Sequence, residues 1–563
     1  MIIVRVMKKV IPYILFFFAS TMLLAQVENI PLENDVYTFL KEMKVKGVIG
    51  YISEDNPNLS RATVQTLLLT IEKNKNALSN VEKELLAKYR QEFFYEEQPL
   101  SKRWEMFGAD SVTGSFGSLF SRRSNYLYTY NNDGNNFFLE LSGRIKQGIE
   151  TNPGKRNSML YWGGLRFNGT LFGKLGYHFS FLKGLAAGSR SFAEVMAPWL
   201  NTNFKWYENI EKVGNFDFVE GYLKYAVEPT EGMDISLQLG REPISFGYGY
   251  SGKLVLSEIR NNMDFLKFNF SYGIIDFTSL HVSTVGKFDI DRSKDYTKYY
   301  ALNRLKLKFK NLFDLGMGEV IIYSDRSLDL AYINPLSFYK MVEMDLQDRD
   351  NGTFHFDIQT RCFDNLEFQA TYFMDENVIW RLSELDQYVN KTAYQLSAFW
   401  YEAFTINNLS LILEYTRTRP YVYTHTNPKN TYTTAFHVFG HEIGPNSDEL
   451  FAKLAYNFSA DLRLEVEYRH RRTGKNIVDA EGNVVRNVGS DPFVPWRTGI
   501  DSKKATFLDG VRIDNDIIKT DLRWEPMRDV TFDLIYYLNS QKNITLDQKL
   551  NQSYLELFLS FDI

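Results

Sequence analysis

Leu462-Arg-Leu-Glu-Val-Glu-Tyr-Arg469 is the stretch on which the fold turns. Leu462, Leu464, Val466 and Tyr468 alternate with Arg463, Glu465, Glu467 and Arg469. A period of two marks a β-strand with two unlike faces. Full charges at every position of one face put that face in water. Upstream, Leu454–Phe458 continues the pattern across a Ser459-Ala-Asp461 turn. The same unit recurs along the chain. Phe137, Leu139, Leu141, Ile145 and Ile149 alternate with Glu140, Ser142, Arg144, Lys146 and Glu150, and Asn152-Pro-Gly-Lys155 makes the turn. Val219, Leu223, Tyr225 and Val227 lead through Pro229-Thr-Glu-Gly232 into Met233, Ile235, Leu237 and Leu239. Ile518–Leu538 repeats it around Glu525-Pro-Met-Arg-Asp529.

Alternation alone also fits a soluble β-sandwich. Three features favour a membrane barrel. The strands run about 10–15 residues, where globular strands average about 5–6 and tilted membrane strands need ~9–11. Short turns alternate with long polar loops at 183–214, 420–449 and 474–515, the asymmetry of an outer-membrane barrel. The chain also stops on a strand, with Leu555, Leu557, Leu559, Phe561 and Ile563 on one face. A final strand of that kind suits closure against the first. Residues 110–563 number 454. At roughly 25 residues per strand and its connection they make about 18 antiparallel strands, an even count.

The chain of 563 residues opens on a targeting pattern. Arg5, Lys8 and Lys9 precede an apolar run from Val10 to Ala25, and Gln26 turns polar. This order predicts a signal peptide over 1–25, the run being too short for the ~20 residues of a spanning helix. Gln26 offers no thiol for a lipid anchor. Residues 34–94 read as three short helices. Val36, Leu40 and Met43 keep helical spacing before Gly47, Ser60 is an N-cap, and Ser79-Asn-Val-Glu82 is a capping box. So small a bundle has a marginal core, which predicts docking against something larger. The expected domains are 1–25 signal peptide, 26–100 periplasmic helical bundle or plug, and 101–563 barrel.

Composition removes other classes. The net charge of −5 gives no electrostatic footprint for nucleic acid. The lone Cys362 excludes a disulfide framework and reads as a small apolar filler at a strand end. Gly247-Tyr-Gly-Tyr-Ser-Gly252 has dinucleotide-binding spacing, but its context is β, so it reads as a tight aromatic loop in or near the lumen. No Gly-x-Ser-x-Gly elbow or His-Glu-x-x-His helix occurs. His425, His437 and His441 share one loop but no helix that would hold them to a metal. That loop, 420–449, sets Tyr421, Tyr423, Tyr432, Phe436 and Phe439 among Asn, Asp and His. Aromatic faces pack on sugar C–H faces and the polar groups bond hydroxyls; the rival reading is that the same residues knit the loop into the barrel mouth.

Four stretches carry a family resemblance. They are Val36-Tyr-Thr-Phe-Leu40 with Gly47 and Leu59-Ser-Arg-Ala62; Leu239-Gly-Arg241 with Phe246-Gly-Tyr-Gly249 and Leu254-Val-Leu-Ser257; Ala331-Tyr-Ile-Asn-Pro-Leu-Ser-Phe-Tyr339; and Gly440-His-Glu-Ile-Gly-Pro-Asn446. Together they resemble the Wzi-type capsule assembly family in its Bacteroidota-like form. The resemblance implies an outer-membrane barrel occluded by a periplasmic bundle and external loops. It implies a lectin-like role, holding capsular or exported polysaccharide at the cell surface.

The expected protein is therefore a non-enzymatic monomer in the outer membrane. Its expected partners are polysaccharide and lipid, with no catalytic residue, cofactor or metal. Candidate polysaccharide-binding residues are Arg241, Tyr248, Tyr250, Arg417, Arg419, Tyr421, Tyr423, His441 and Asn446. The arginines would pair with uronate carboxylates if they face the lumen or mouth; a structural ladder with Asp and Glu is the alternative. A diffusion porin is the rival function. A barrel hydrolase lacks a recognisable triad, and a TonB-dependent transporter needs a larger plug.

Overall fold

The computed structural model describes residues 26–97, 104–106, 124–132, 134–209, 214–258, 262–287, 289, 291–347, 349–375, 386–435 and 437–563. The expected signal peptide, the boundary near residue 100 and Phe436 lie outside the described residues.

Eighteen long antiparallel strands close a barrel. They are β1 Asn135–Asn152, β2 Asn157–Leu171, β3 Leu175–Gly188, β4 Asn215–Val227, β5 Met233–Glu242, β6 Met263–Tyr272, β7 Ile275–Val285, β8 Thr297–Phe309 and β9 Phe313–Ser324. The circuit continues with β10 Asn351–Thr360, β11 Leu366–Met374, β12 Thr392–Tyr401, β13 Leu409–Thr418, β14 Ser447–Asn457, β15 Leu462–Lys475, β16 Val511–Met527, β17 Val530–Asn543 and β18 Gln548–Asp562. Each strand pairs with its neighbour in sequence, and β18 closes on β1 with Leu557 opposite Gln147 and Phe561 opposite Gly143. A side chain at Gly143 would overlap the Phe561 ring, so only glycine fits this seam. Where β18 stops, the Ile563 amide donates to the Leu141 carbonyl at 2.9 Å. Leu127 and the short strand Tyr128–Asn132 then take over the pairing with β1.

Leu237, Leu239, Leu454 and Leu557 stand exposed on the outside of the wall. On β15 the opposite face turns inward: Arg463 meets Glu465 at 2.8 Å and Arg471 meets Glu449 at 2.7 Å across the lumen side. This is the two-faced strand that the alternation predicts. One barrel end carries short connections, such as 172–174, 273–274, 310–312 and 528–529. The other carries all the long ones: 189–214, 243–262, 325–350, 375–391, 419–446 and 476–510.

Helices α1 Val36–Val45, α2 Arg61–Lys73 and α3 Asn80–Phe93 form the N-terminal module. Ser60 caps α2, and Ser79 with Glu82 forms the capping box of α3. Gly47 ends α1 at φ +79°, a left-handed conformation that costs glycine little. The module sits inside the barrel at the short-turn end. Val36, Leu40, Met43, Val64 and Leu86 share one apolar cluster with Phe399, Tyr401, Ile412 and Phe451 of the wall. Cys362 is exposed rather than a buried filler, because the 361–365 turn holds it out at the rim.

Candidate functional site

The plug is fixed by buried charge. Lys41 and Lys44 of α1 meet Glu54 and Glu367 of β11, with Lys44–Glu367 at 2.8 Å. Burial works against the Lys44 charge, but Glu367 and Glu54 overrule it and hold the ammonium above its usual range. Asp55 receives Arg304, and Lys306 at 2.7 Å, both from β8, and Arg304 continues to Asp357 at 2.9 Å. Burial alone would raise the Asp55 pKa, yet the two cations hold its carboxyl well below the usual range.

From the long-loop end the segment 243–262 descends to meet the plug. Phe246 and Leu256 form a β-bridge, and the Gly247 amide donates to the Asp55 carbonyl at 2.8 Å. The Tyr250 and Ser251 amides donate to the Glu414 carboxylate at 2.8 and 2.9 Å. Gly249 has φ +137°, and a side chain there would strike the Gly252 carbonyl. The glycines thus let a loop fold on itself in the lumen, as the β context of the motif predicts. Leu254, Val255 and Leu256 join lumen-facing Leu280, Val282, Leu302 and Ile322, and Val422, Tyr423, Tyr432 and Phe439 of 419–446, in one buried cluster. This sector of the upper lumen is packed with apolar side chains, unlike the charged lumen face of β15. The inward loops bring enough apolar surface to exclude water.

Between this seal and the plug lies a chamber of about 840 Å3. Tyr37, Lys41, Ser53 and Glu54 line it from the plug, and Tyr248, Tyr250 and Lys253 from the descending loop. Gln369 of β11, Trp199, His437, Glu442 and Phe493 complete much of the wall. Two donors stand out. The Tyr248 hydroxyl is buried without a hydrogen-bond partner among the described residues. Lys253 has no carboxylate within ion-pair distance among them. Burial pushes the Lys253 ammonium down to about 8, against the upward pull of Glu258, Asp55 and Glu54.

Of the nine candidates, the chamber brings together Tyr248 and Tyr250. Tyr250 lies under Lys41 at 5.4 Å from its ring centre and stacks with Phe399. Arg241 shares the parity of exposed Leu237 and Leu239, so it faces outward, and it pairs with Asp264 at 2.9 Å. Arg417 shares the parity of exposed Leu413 and lies over Phe507 at 3.8 Å. Neither faces the lumen; both stand on the outer side of the wall at the end that carries the long loops. The Arg419 Nε donates to the Asn390 carbonyl at 3.2 Å. Tyr421 and Tyr423 are buried in the loop cap, their hydroxyls on the Asn487 and Leu254 carbonyls. Asn446 is buried and ties Gly474, Leu508 and Asp509 together. These three loop residues knit the cap.

His441 is buried beside Ser251, with Nε2 at 3.0 Å from Oγ. Its Nδ1 accepts the Ile443 amide at 3.3 Å, which fixes the proton on Nε2. The Ser251 hydroxyl donates its own hydrogen bond to the Glu414 carboxylate at 2.5 Å. His441 therefore donates to Ser251 and does not activate it. Burial lowers the His441 pKa and favours this neutral form. Lys253, Asp55, Arg304 and Glu367 were not legible as site residues, since only the folded lumen brings them together.

These features define a class: an outer-membrane β-barrel whose lumen is closed by its own N-terminal helices and inward-folded loops. Residues 106–553 match the family described as capsule assembly protein Wzi, and the chain belongs to that family. A solved structure of Wzi from Escherichia coli is 12% identical, with 95% of this chain and 99% of that one covered at a TM-score of 0.53. It is described as an outer-membrane protein involved in group 1 capsule assembly and a carbohydrate-binding β-barrel. OccK5 and OccK8 of Pseudomonas aeruginosa are 9% and 11% identical, each aligned over 76% of this chain and 98% of their own at a TM-score of 0.41. No curated protein matches.

Proposed function

We propose that this chain binds capsular or exported polysaccharide and anchors it at the cell surface as a monomer, without catalysing a reaction. The observation that carries the reading is the chamber with two unmatched donors, the Tyr248 hydroxyl and the Lys253 ammonium. Its volume of about 840 Å3 lies in the range of small-ligand sites. A sugar ring stacks on Tyr250, its hydroxyls reach Tyr248 and Gln369, and a uronate carboxylate pairs with Lys253. The carbohydrate-binding relative with the same fold supports this reading. The short-turn end, with the plug, faces the periplasm, and the long loops face outward. Many weak contacts along a repeating polymer supply retention by avidity. The fixed His441 tautomer speaks against acyl transfer at Ser251. No cofactor, metal or nucleic acid enters this function.

The test is a titration of the detergent-purified barrel with capsular polysaccharide from plausible host strains. Saturable binding is expected, weakened about tenfold by Lys253→Gln, which corresponds to ~1.4 kcal/mol for one charge-assisted bond. Absence of saturable binding with every polysaccharide refutes the proposal.

A further inference from the structure

On the outer wall of the barrel the apolar column stops early over β7–β9. On β15 the outward column runs through four apolar residues, Leu462, Leu464, Val466 and Tyr468. On β7 it stops after Ile275 and Phe277, on β8 after Phe309, Leu307 and Leu305, and on β9 after Phe313, Leu315 and Met317. The next outward positions are Ser279, Asn303 and Glu319. Polar groups on the lipid side of a barrel are costly at depth. Here each is only 7% exposed, because something covers it.

The cover is the connection 325–350, which folds down over the outside of the wall. The helix Tyr339–Asp345 starts on Glu319, whose carboxylate accepts the Tyr339 amide at 2.8 Å. The Asn303 side chain donates to the Ser337 carbonyl at 3.0 Å. Tyr332 and Tyr339 bury themselves against Tyr299, Ala301, Ile321 and Tyr323. The strap thus turns its polar groups and tyrosines inward. What it turns outward is Leu328, Leu330, Leu336, Phe338, Met341 and Met344, from 45% to 91% exposed. Between 328 and 344 the only other exposed residue is Asn334. The polar exposed residues Asp325, Ser327, Asp345, Gln347 and Arg349 flank this apolar stretch on both sides.

We infer that the strap 328–344 is a lipid-contacting element that replaces the missing upper part of the apolar belt over β7–β9 and seats in the outer leaflet. Its occupant is lipid, because the apolar face is continuous with Met317, Leu315 and Phe356 on the wall beside it. An apolar patch this exposed would otherwise stand in water against the hydrophobic effect. The strap behaves as an interfacial segment, with aliphatic and Met side chains in the acyl region and polar flanks at the headgroups. Flexible methionines suit a disordered solvent of chains.

The experiment uses the full chain with its one native thiol removed by Cys362→Ser. Single bimane labels are placed by Leu336→Cys or Met341→Cys, and the protein is reconstituted in dibromo-phosphatidylcholine vesicles. Met317→Cys on the bare wall and Ile500→Cys on an outer loop calibrate the two extremes. Quenching of both strap labels to within about twofold of the Met317 label is expected. Quenching nearer the Ile500 value at either position overturns the inference, whether water, polysaccharide or a second copy covers the strap instead.

Discussion

Lys253 is the residue on which the binding proposal is most exposed. Its pKa of about 8 keeps it charged near neutrality. Affinity for an acidic polysaccharide is therefore expected to hold from about pH 6 to 7 and to fall as pH rises through about 8. A wild-type profile that stays flat to about pH 9 removes the ammonium from the site. The same depressed pKa has the opposite sign for folding. The charged form is disfavoured in the fold, so its cost is relieved as pH climbs from about 8 towards the usual lysine value. Asp55 carries a second residue-level prediction. Asp55→Asn leaves Arg304 and Lys306 buried with one carboxylate fewer, a loss of about 3–5 kcal/mol for a broken buried pair. Faster hydrogen exchange in α1–α3, with the barrel wall unchanged, is the expected readout. The native Asp55 contribution is fully present above the usual carboxylate range and disappears only in strong acid, since its pKa is lowered in the fold. The outward direction of two arginines is legible in the sequence. Arg241 follows Leu237 and Leu239 at even spacing, and Arg417 follows Leu413 and Tyr415, so parity alone sends both outward. Lys253 carried no such signal, because its neighbours come from α1, β11 and loops up to 240 residues away.

Among the elements, strands were the most legible. Leu462–Arg469 declares both faces because water and lipid demand opposite side chains. The helices were legible through their caps. Ser79 holds the Glu82 amide and also meets Asn408 of the turn between β12 and β13 at 2.6 Å. Ser79→Ala is expected to cost about 1 kcal/mol, seen as roughly fivefold faster exchange in the first turn of α3. Loops were legible in position but not in direction. The aromatic residues of 420–449 left two readings open, a sugar platform or packing into the barrel mouth, and Tyr423 and Tyr432 are fully buried against Tyr300 and Phe439. An aromatic residue in a polar stretch reports that it needs a partner and does not name it. The strap 325–350 shows the same limit from the other side. Its alternation of Leu and Tyr could serve a core, and only the wall beneath it tells which residues turn away.

At the scale of the whole molecule, closure was foretold by the terminal strand, and the count of about 18 strands by length. For the contents of the lumen the sequence pointed to the helical bundle, the long loops and the 247–252 motif, without naming the wall residues that hold them. Two stoppers meet in the lumen, the helices from one end and the loops 243–262 and 419–446 from the other. In planar bilayers the intact protein is expected to be nearly silent. Removing residues 26–97 alone raises conductance only modestly, whereas also excising 246–256 opens large stable steps. Large steps from the intact protein would favour the diffusion porin. The docking partners of the helices also impose an order on biogenesis. Val27 holds Thr170 on β2 at 2.8 Å, while Lys88 and Glu92 hold Glu525 and Arg528 at the far end of the chain. The helical module can make all of these contacts only once β2 and the turn between β16 and β17 stand together in the closed wall.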